Sequence, residues 1–257
     1  MALLNVSVAN RIATVEMNRP EKRNAINTAM KQEFVEVFRE IEGNTEVRVV
    51  VLRGRGEKAF SAGADMFDTV GGTPFEKRLT VHLDASYTVR KCTKPVVAMV
   101  RGYALGGGFE LALSCDIRIA SETAIFGYPE VARGWIPGGG GTQLLTHLVG
   151  EGKASYLIYS GRTLAGRDAL QWGIVEEVVP DGELETKTME LAARIAGNKL
   201  ETLRLAKACV KIAARANLDV GLDYERELIS LCYAFPDREA AIDVFKKERD
   251  ERQGQSG

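Results

Sequence analysis

Between Lys94 and Asp116 the chain reads Lys-Pro-Val-Val-Ala-Met-Val-Arg-Gly-Tyr-Ala-Leu-Gly-Gly-Gly-Phe-Glu-Leu-Ala-Leu-Ser-Cys-Asp. The apolar run Val96 to Val100 fits a strand buried on both faces, and Phe109 to Leu113 fits the start of a buried helix. Gly106-Gly107-Gly108 joins the two. Tight strand-to-helix packing explains one glycine readily and three in a row less well. Such a turn exposes backbone N–H groups, and at a helix start the macrodipole helps them bind an anion or a carbonyl oxygen that becomes anionic during reaction. The spacing is not G-x-G-x-x-G, and no Gly-Lys-Ser/Thr follows, so neither a dinucleotide fingerprint nor a P-loop fits.

Around this unit the chain alternates strands and helices. Val6 to Met17 alternates about Ala9-Asn10-Arg11, which predicts a β-hairpin. Asn27 or Thr28 caps a helix to about Glu42, with Met30, Phe34, Val37, Phe38 and Ile41 at helical spacing. Val47 to Arg53 reads as a second buried strand, and a helix is expected from Pro74 to Arg90. A helix from Gly107 to Ser114, strands at Asp116 to Ala120 and Ala124 to Phe126, and helices at Thr142 to Val149, Lys153 to Ser160 and Ala165 to Trp172 follow. Ile174 to Val179 completes the β pattern. Beyond Pro180 only helical periods remain, over 184–196, 200–214, 218–235 and 237–252. The expectation is a layered α/β body over 1–196 and a helical region over 197–257. Apolar stripes that this region cannot bury on itself suit oligomerisation, and packing back onto the body is the plainer alternative.

The charge balance, 34 basic against 35 acidic residues, offers no global field to nucleic acid or an anionic membrane, so neither is expected as a partner. Cys92, Cys115, Cys209 and Cys232 are far apart in sequence, with no C-x-x-C pair, which argues against zinc and disulfide scaffolds and for a reducing compartment. The first ten residues lack the basic start and apolar core of a signal peptide, and no apolar run is long enough to span a bilayer. A soluble, cytoplasmic protein is expected.

Two carboxylates stand out. Glu110 follows Gly106-Gly107-Gly108-Phe109, and Glu130 follows Phe126-Gly127-Tyr128-Pro129. Two carboxylates brought to one pocket can divide acid and base work, because differences in burial and charge separate their pKa values. A solvated surface position is the bland alternative for either. The two histidines, His82 and His147, have no metal-ligand or triad spacing, and Ser61, Ser114 and Ser121 lack a G-x-S-x-G setting. Arg204, Lys207, Lys211 and Arg215 share a helical face without interleaved aromatics, which reads as a solvated face rather than a nucleic-acid surface.

Lys58-Ala-Phe-Ser-Ala-Gly-Ala-Asp65 supplies a second candidate backbone donor. With it, Asn18-Arg19-Pro20, Asn24-Ala25, Gly102 to Glu110, Phe126-Gly-Tyr-Pro-Glu130 and Pro137-Gly-Gly-Gly-Gly-Thr-Gln143 closely resemble the crotonase (enoyl-CoA hydratase/isomerase) superfamily, in order and spacing over nearly the whole chain. The resemblance implies a spiral of β-β-α repeats followed by helices, assembled as a trimer or a dimer of trimers. It implies an oxyanion hole from the amides of Ala64 and Gly107, around the thioester oxygen of an acyl-CoA. Ala62 and its neighbours to Asp65 would border the CoA moiety, and Arg23 or Lys22 would meet its phosphates. No metal or redox cofactor is implied.

Members of that family with hydratase activity use two glutamates, matching Glu110 and Glu130, to hold a water over the double bond. The expected activity is therefore reversible hydration of a 2,3-enoyl-CoA, with Glu110 deprotonating the water and Glu130 protonating the α carbon. The rivals are a double-bond isomerase using Glu130 alone and a non-catalytic RNA-binding or assembly protein. Departures from the common hydratase pattern bear on the substrate. Tyr128 stands where Gln is frequent, Trp135 is bulky, and Leu144 replaces a common Arg; Tyr128 and Trp135 would offer apolar or ring-stacking surface to a bulky or cyclic acyl group. After Phe245-Lys246-Lys247, the residues Asp250 to Gln253 depart from the basic and aromatic positions of the family.

Overall fold

The computed structural model describes residues 2–68 and 84–235. The first part of the expected Pro74 to Arg90 helix, His82, the 237–252 helix and the Phe245 to Gln253 stretch lie outside the described residues. The chain begins as the expected hairpin, β1 (Leu4–Ala9) against β2 (Ile12–Met17). Asn10 and Arg11 both take positive φ, 51° and 65°, as a two-residue type I′ turn requires at its central positions. In α1 (Thr28–Gly43) the Asn27 side-chain oxygen accepts from the Met30 N–H at 2.9 Å, and Met30, Phe34, Phe38 and Ile41 are buried. At the other end, fully buried Lys94 donates to the carbonyls of Ile41 and Asn44, each at 2.5 Å. That contact satisfies end carbonyls and places a cation at the negative end of the helix dipole.

Three successive turns of one pattern follow. β3 (Val49–Gly54) leads to β4 (Ala59–Ser61) and, later, α2 (Ala85–Lys91); β5 (Val96–Val100) leads to β6 (Tyr103–Leu105) and α3 (Gly107–Ser114). β7 (Ile117–Ser121) leads to β8 (Ile125–Gly127) and, after a loop, α4 (Gly141–Val149). The first strand of each turn joins a six-stranded sheet, ordered β1-β2-β3-β5-β7-β10 with β10 at Glu177–Val179, and the second joins a four-stranded sheet, ordered β4-β6-β8-β9 with β9 at Thr163–Ala165. Within both sheets these strands run parallel. The chain continues through α5 (Glu151–Ser160), β9 (Thr163–Ala165), α6 (Gly166–Trp172), β10 (Glu177–Val179) and α7 (Leu184–Ala196).

The apolar runs of β3 and β5 are explained by burial on both faces. Val50, Leu52, Ala98 and Val100 pack with Phe34 and Phe38 of α1 in one cluster, whereas Val49, Val51, Val97 and Met99 pack with Leu184, Ala192 and Ala196 of α7 in another. Sequence periodicity located these long strands but missed β4, β6 and β9. Three residues are too few to show a period of two, and glycine-rich flanks conceal them.

By contacts the chain divides into Met1–Leu203 and Arg204–Gly257, where the sequence reading placed a boundary at 196/197. The division falls inside α8 (Leu200–Ala213). In the second unit α9 (Leu218–Cys232) is capped by Asn217, whose side chain accepts from the Val220 N–H at 3.0 Å. Leu218, Val220, Ile229 and Leu231 are exposed on it. Arg204, Lys207 and Lys211 are half-buried and engaged in interactions, so the expected solvated basic face is not what folds; only Arg215 is exposed.

Parallel alignment places the C-terminal ends of β4, β6 and β8 side by side, and the segments carrying Ala64, Gly107 and Glu130 all leave from that edge. A cleft of about 490 Å³ lies at the opposite edge, where Lys58, Tyr103 and Ile125 begin or precede the same strands. Asn24 fixes the first of these segments. Buried and at φ 54°, it donates through Nδ2 to the carbonyls of Arg55 (3.1 Å) and Ala59 (2.9 Å) and accepts at Oδ1 from the Arg19 N–H (3.1 Å). Asn24→Ala strands those groups in a dry interior and is expected to lower stability by about 2–3 kcal/mol. Urea unfolding checks it: a midpoint unchanged from the parent contradicts the assignment.

Candidate active site

The Ala64 amide is aimed by its neighbours. Ile26 forms a parallel bridge across Ala64, taking its own bonds from the flanking residues: Ile26 N–H donates to Gly63 O at 2.8 Å, and Asp65 N–H donates to Ile26 O at 2.9 Å. In such a bridge the central residue's own N–H points the other way. Gly107 lies on that side: a β-carbon built on it would sit 3.3 Å from Ala64 N. Gly107 opens α3, so its N–H has no carbonyl a turn earlier to bind. Among the described residues neither amide donates a hydrogen bond. Two free donors from different loops therefore adjoin, with the positive end of a helix behind one of them.

Close backbone approach makes this possible. Gly63 sits at φ 94°, and a β-carbon there would meet Leu105 O at 2.6 Å. On Gly108 it would overlap the Ser61 carbonyl. Ser61 itself is spent on the fold, donating to Asn24 O at 2.8 Å and accepting from the Gly63 N–H at 3.1 Å.

Glu110, on the first turn of α3, is buried, and its Oε1 accepts from the Gly139 N–H at 2.7 Å and the Gly141 N–H at 2.8 Å. Burial pushes its pKa up to about 7; the two amides oppose this, and the charges of Glu130 and Asp84 add to it. Glu130 follows β8 and opens a short helical turn closed by Gly134 at φ 77°. Its Oε1 lies over Gly106, 2.7 Å from where a β-carbon would be, and its buried Oε2 has no hydrogen-bond partner among the described residues. Burial raises its pKa as well, with Arg133 pulling it down. The structure thus brings Glu110, Glu130, Ala64 and Gly107 together around the start of α3.

Other expected site residues are placed differently. Tyr128 has no exposed surface: its ring stacks on Phe109, with centroids 4.8 Å apart, so it offers no face to an acyl group, contrary to the sequence expectation. Tyr128 follows β8, and the packing that turns its ring into the core comes from tertiary pairing that the sequence does not display. Its hydroxyl, beside Gly141, has no hydrogen-bond partner among the described residues, and burial followed by the charges of Glu110 and Glu130 drives its pKa well above the ordinary value. Asp65 is tied to Arg19 at 3.0 Å. Ala62 is half-buried and donates to Arg23 O at 2.9 Å. Lys22 and Arg23 are exposed, the Arg23 guanidinium standing 5.4 Å from the Tyr103 ring centroid. Trp135 is half exposed, on the turn that carries Glu130. His147 is exposed on α4, and Leu144 packs against the core.

Known proteins resemble the chain over nearly its whole length. A sequence profile described as enoyl-CoA hydratase/isomerase matches residues 7–255. A short-chain-enoyl-CoA hydratase of Clostridium acetobutylicum is 39% identical over 241 residues, covering 93% of this chain and 92% of that protein. A 2,3-dehydroadipyl-CoA hydratase of Escherichia coli is 35% identical, covering 97% of each chain. Among solved structures, an enoyl-CoA hydratase from Bacillus anthracis superposes with a TM-score of 0.92 at 36% identity, over 96% of this chain and 97% of that one.

The raised Glu110 pKa has a consequence for stability. A glutamate in the unfolded chain titrates near 4.5, so the folded state holds this proton more tightly, and stability falls as pH rises from about 4.5 through about 7. Glu110→Gln keeps an oxygen for the Gly139 and Gly141 amides and removes only the charge. It is expected to melt higher than the wild type at pH 8, with the gap closing toward pH 5. Thermal melts of both proteins across that range check it, and a gap independent of pH contradicts it.

Proposed function

Because the chain belongs to the enoyl-CoA hydratase/isomerase family, we propose that Glu110 and Glu130 divide base and acid work in adding water across the 2,3-double bond of an acyl-CoA thioester. The protein is an enoyl-CoA hydratase, and its product is a 3-hydroxyacyl-CoA. In the assigned mechanism Glu110 takes a proton from water as the water oxygen bonds to the β carbon. The displaced π electrons move to the thioester oxygen, where the Ala64 and Gly107 amides stabilise the enolate; one such donor is typically worth about 3 kcal/mol. Glu130 then gives its proton to the α carbon. One proton has moved from Glu130 to Glu110, and exchange within the coupled pair restores the starting state. The reverse sequence is dehydration.

The observation that carries this reading is the pair of glutamates with raised pKa, Glu110 buried and Glu130 half-buried, beside two free backbone amides. A base near pH 7 is matched to neutral conditions, and burial raises the Glu130 pKa in the same direction. An isomerase working through Glu130 alone would leave idle a Glu110 held by two amides. No metal or redox cofactor takes part in the proposed steps, because the amides carry the charge stabilisation.

For substrate binding we assign Ala62 and its neighbours to the CoA side and exposed Lys22 and Arg23 to its phosphates. Trp135 and Ile136, exposed on the Glu130 turn, suit an acyl group larger than crotonyl. The exposed apolar residues of α9 support a homotrimer or a hexamer. A cytoplasmic location accords with four cysteines that form no disulfide among the described residues, and no helix among the described residues is long and apolar enough to cross a membrane.

A panel of enoyl-CoA thioesters, including branched and cyclic ones, tests the reaction by mass spectrometry. The expected product gains one water and carries heavy oxygen when the solvent does; no gain with any member defeats the reading. Glu110→Gln and Glu130→Gln should each lower kcat by about 10²–10⁴-fold with KM little changed. Near-wild-type hydration by either variant overturns that residue's role.

A further inference from the structure

A third carboxylate faces the same site. Asp84 caps α2, its Oδ1 accepting from the Ser86 N–H at 2.9 Å. Its other oxygen, Oδ2, looks across Gly139 at Glu110. A β-carbon on Gly139 would lie 3.1 Å from Asp84 Oδ2 and 2.6 Å from Glu110 Oε2, so the two oxygens are within about 6 Å of each other. Capping does not call for a charge, since asparagine caps a helix as well as aspartate. A second carboxylate this close to a buried one is electrostatically unfavourable, and an asparagine would relieve the conflict. The fold alone therefore does not explain an acid at this position.

We propose that Asp84 is a positioning residue for hydration: its negative charge, held across Gly139, makes the Glu110 carboxylate a stronger acceptor for the proton of the attacking water. The inference rests on the hydratase reading, because it needs Glu110 as the base. The surrounding charges are arranged to suit it. Burial raises the Asp84 pKa, and the Ser86 amide, Lys31 on α1 and Arg90 on α2 oppose this in favour of its charged form. Arg90 also stands beside the loop that holds Glu110, its Nη1 being 3.2 Å from a β-carbon placed on Gly140. On the far side Glu130 repels Glu110, Arg133 acts on Glu130, and the Tyr128 phenol is neutral. Asp84 is thus the acid with cations at its back, and Glu110 is the acid left facing two negative charges.

Asp84→Asn keeps the cap and removes the charge. The acid limb of kcat/KM, which reports ionisation of the base, is expected to move to lower pH by roughly 0.5–1 unit. The plateau kcat should fall about three- to tenfold as the base weakens, with KM unchanged. Asp84→Glu should return the limb toward its wild-type position. A second readout needs no turnover: carboxyl carbon NMR of glutamate-labelled protein, with the Glu110 resonance assigned by its loss in Glu110→Gln, should show a lower midpoint in Asp84→Asn. Circular dichroism and melting establish that the variant is folded. A folded Asp84→Asn protein with the wild-type limb and midpoint overturns the inference. If the wild type hydrates no thioester, the hydratase reading fails, and the NMR midpoint still decides whether Asp84 acts on Glu110.

Discussion

The site depends on a place where backbone meets backbone without side chains between. The first turn of α3 lies against the end of β4 because Gly107 and Gly108 carry no β-carbon to strike Ala64 N or the Ser61 carbonyl. Gly63, at positive φ, closes the same contact from the other side. Once the two loops are this close, the Ile26 bridge turns the Ala64 amide toward the amide of Gly107. Asn24, Ser61 and the Arg19 to Asp65 ion pair hold the loop to its neighbours. None of these groups needs to touch substrate, yet each fixes the direction of an N–H that would.

The same packing puts Glu110 and Glu130 where carboxylates are costly. Burial disfavours their charge, and Glu110 receives compensation from two amides of the Gly138–Gly141 loop, Glu130 from its own backbone amide and Arg133. Glu130 Oε2 and the Tyr128 hydroxyl are buried without hydrogen-bond partners among the described residues. Unpaired buried polar groups are rare in proteins and concentrate where function opposes stability. Two such atoms lie beside the glutamates, in keeping with the proposed catalytic use; Arg53 Nε on β3 and Arg101 Nε just after β5 are others among the described residues.

Much of this was legible in the sequence, for reasons that differ by element. The hairpin, α1, β5 and α3 were readable because each has a local rule: two turn residues, an asparagine cap, a continuous apolar run, three glycines. Glu110 and Glu130 were readable because each follows a forced bend. The four-stranded sheet was legible only at β8, since β4, β6 and β9 are three residues long and pair with segments some 20 to 45 positions away, as Ala59 does with Tyr103. Tyr128 was misjudged for the same reason. Its ring belongs to a core that only tertiary pairing creates. Asp84 escaped notice because the sequence reading set it inside the Pro74 to Arg90 helix rather than at a cap; its second oxygen becomes significant only when Gly139 arrives from more than 50 residues later.

The stacked turns have one more implication. Ala64 comes from the first rung of the small sheet, Gly107 and Glu110 from the second, and Glu130 from the third. Neighbouring rungs are about 4.8 Å apart, a distance set by main-chain pairing and indifferent to side-chain identity. A ligand bound here is gripped across the ladder, so its reacting atoms are gauged against a ruler that mutation of side chains can decorate but not restretch.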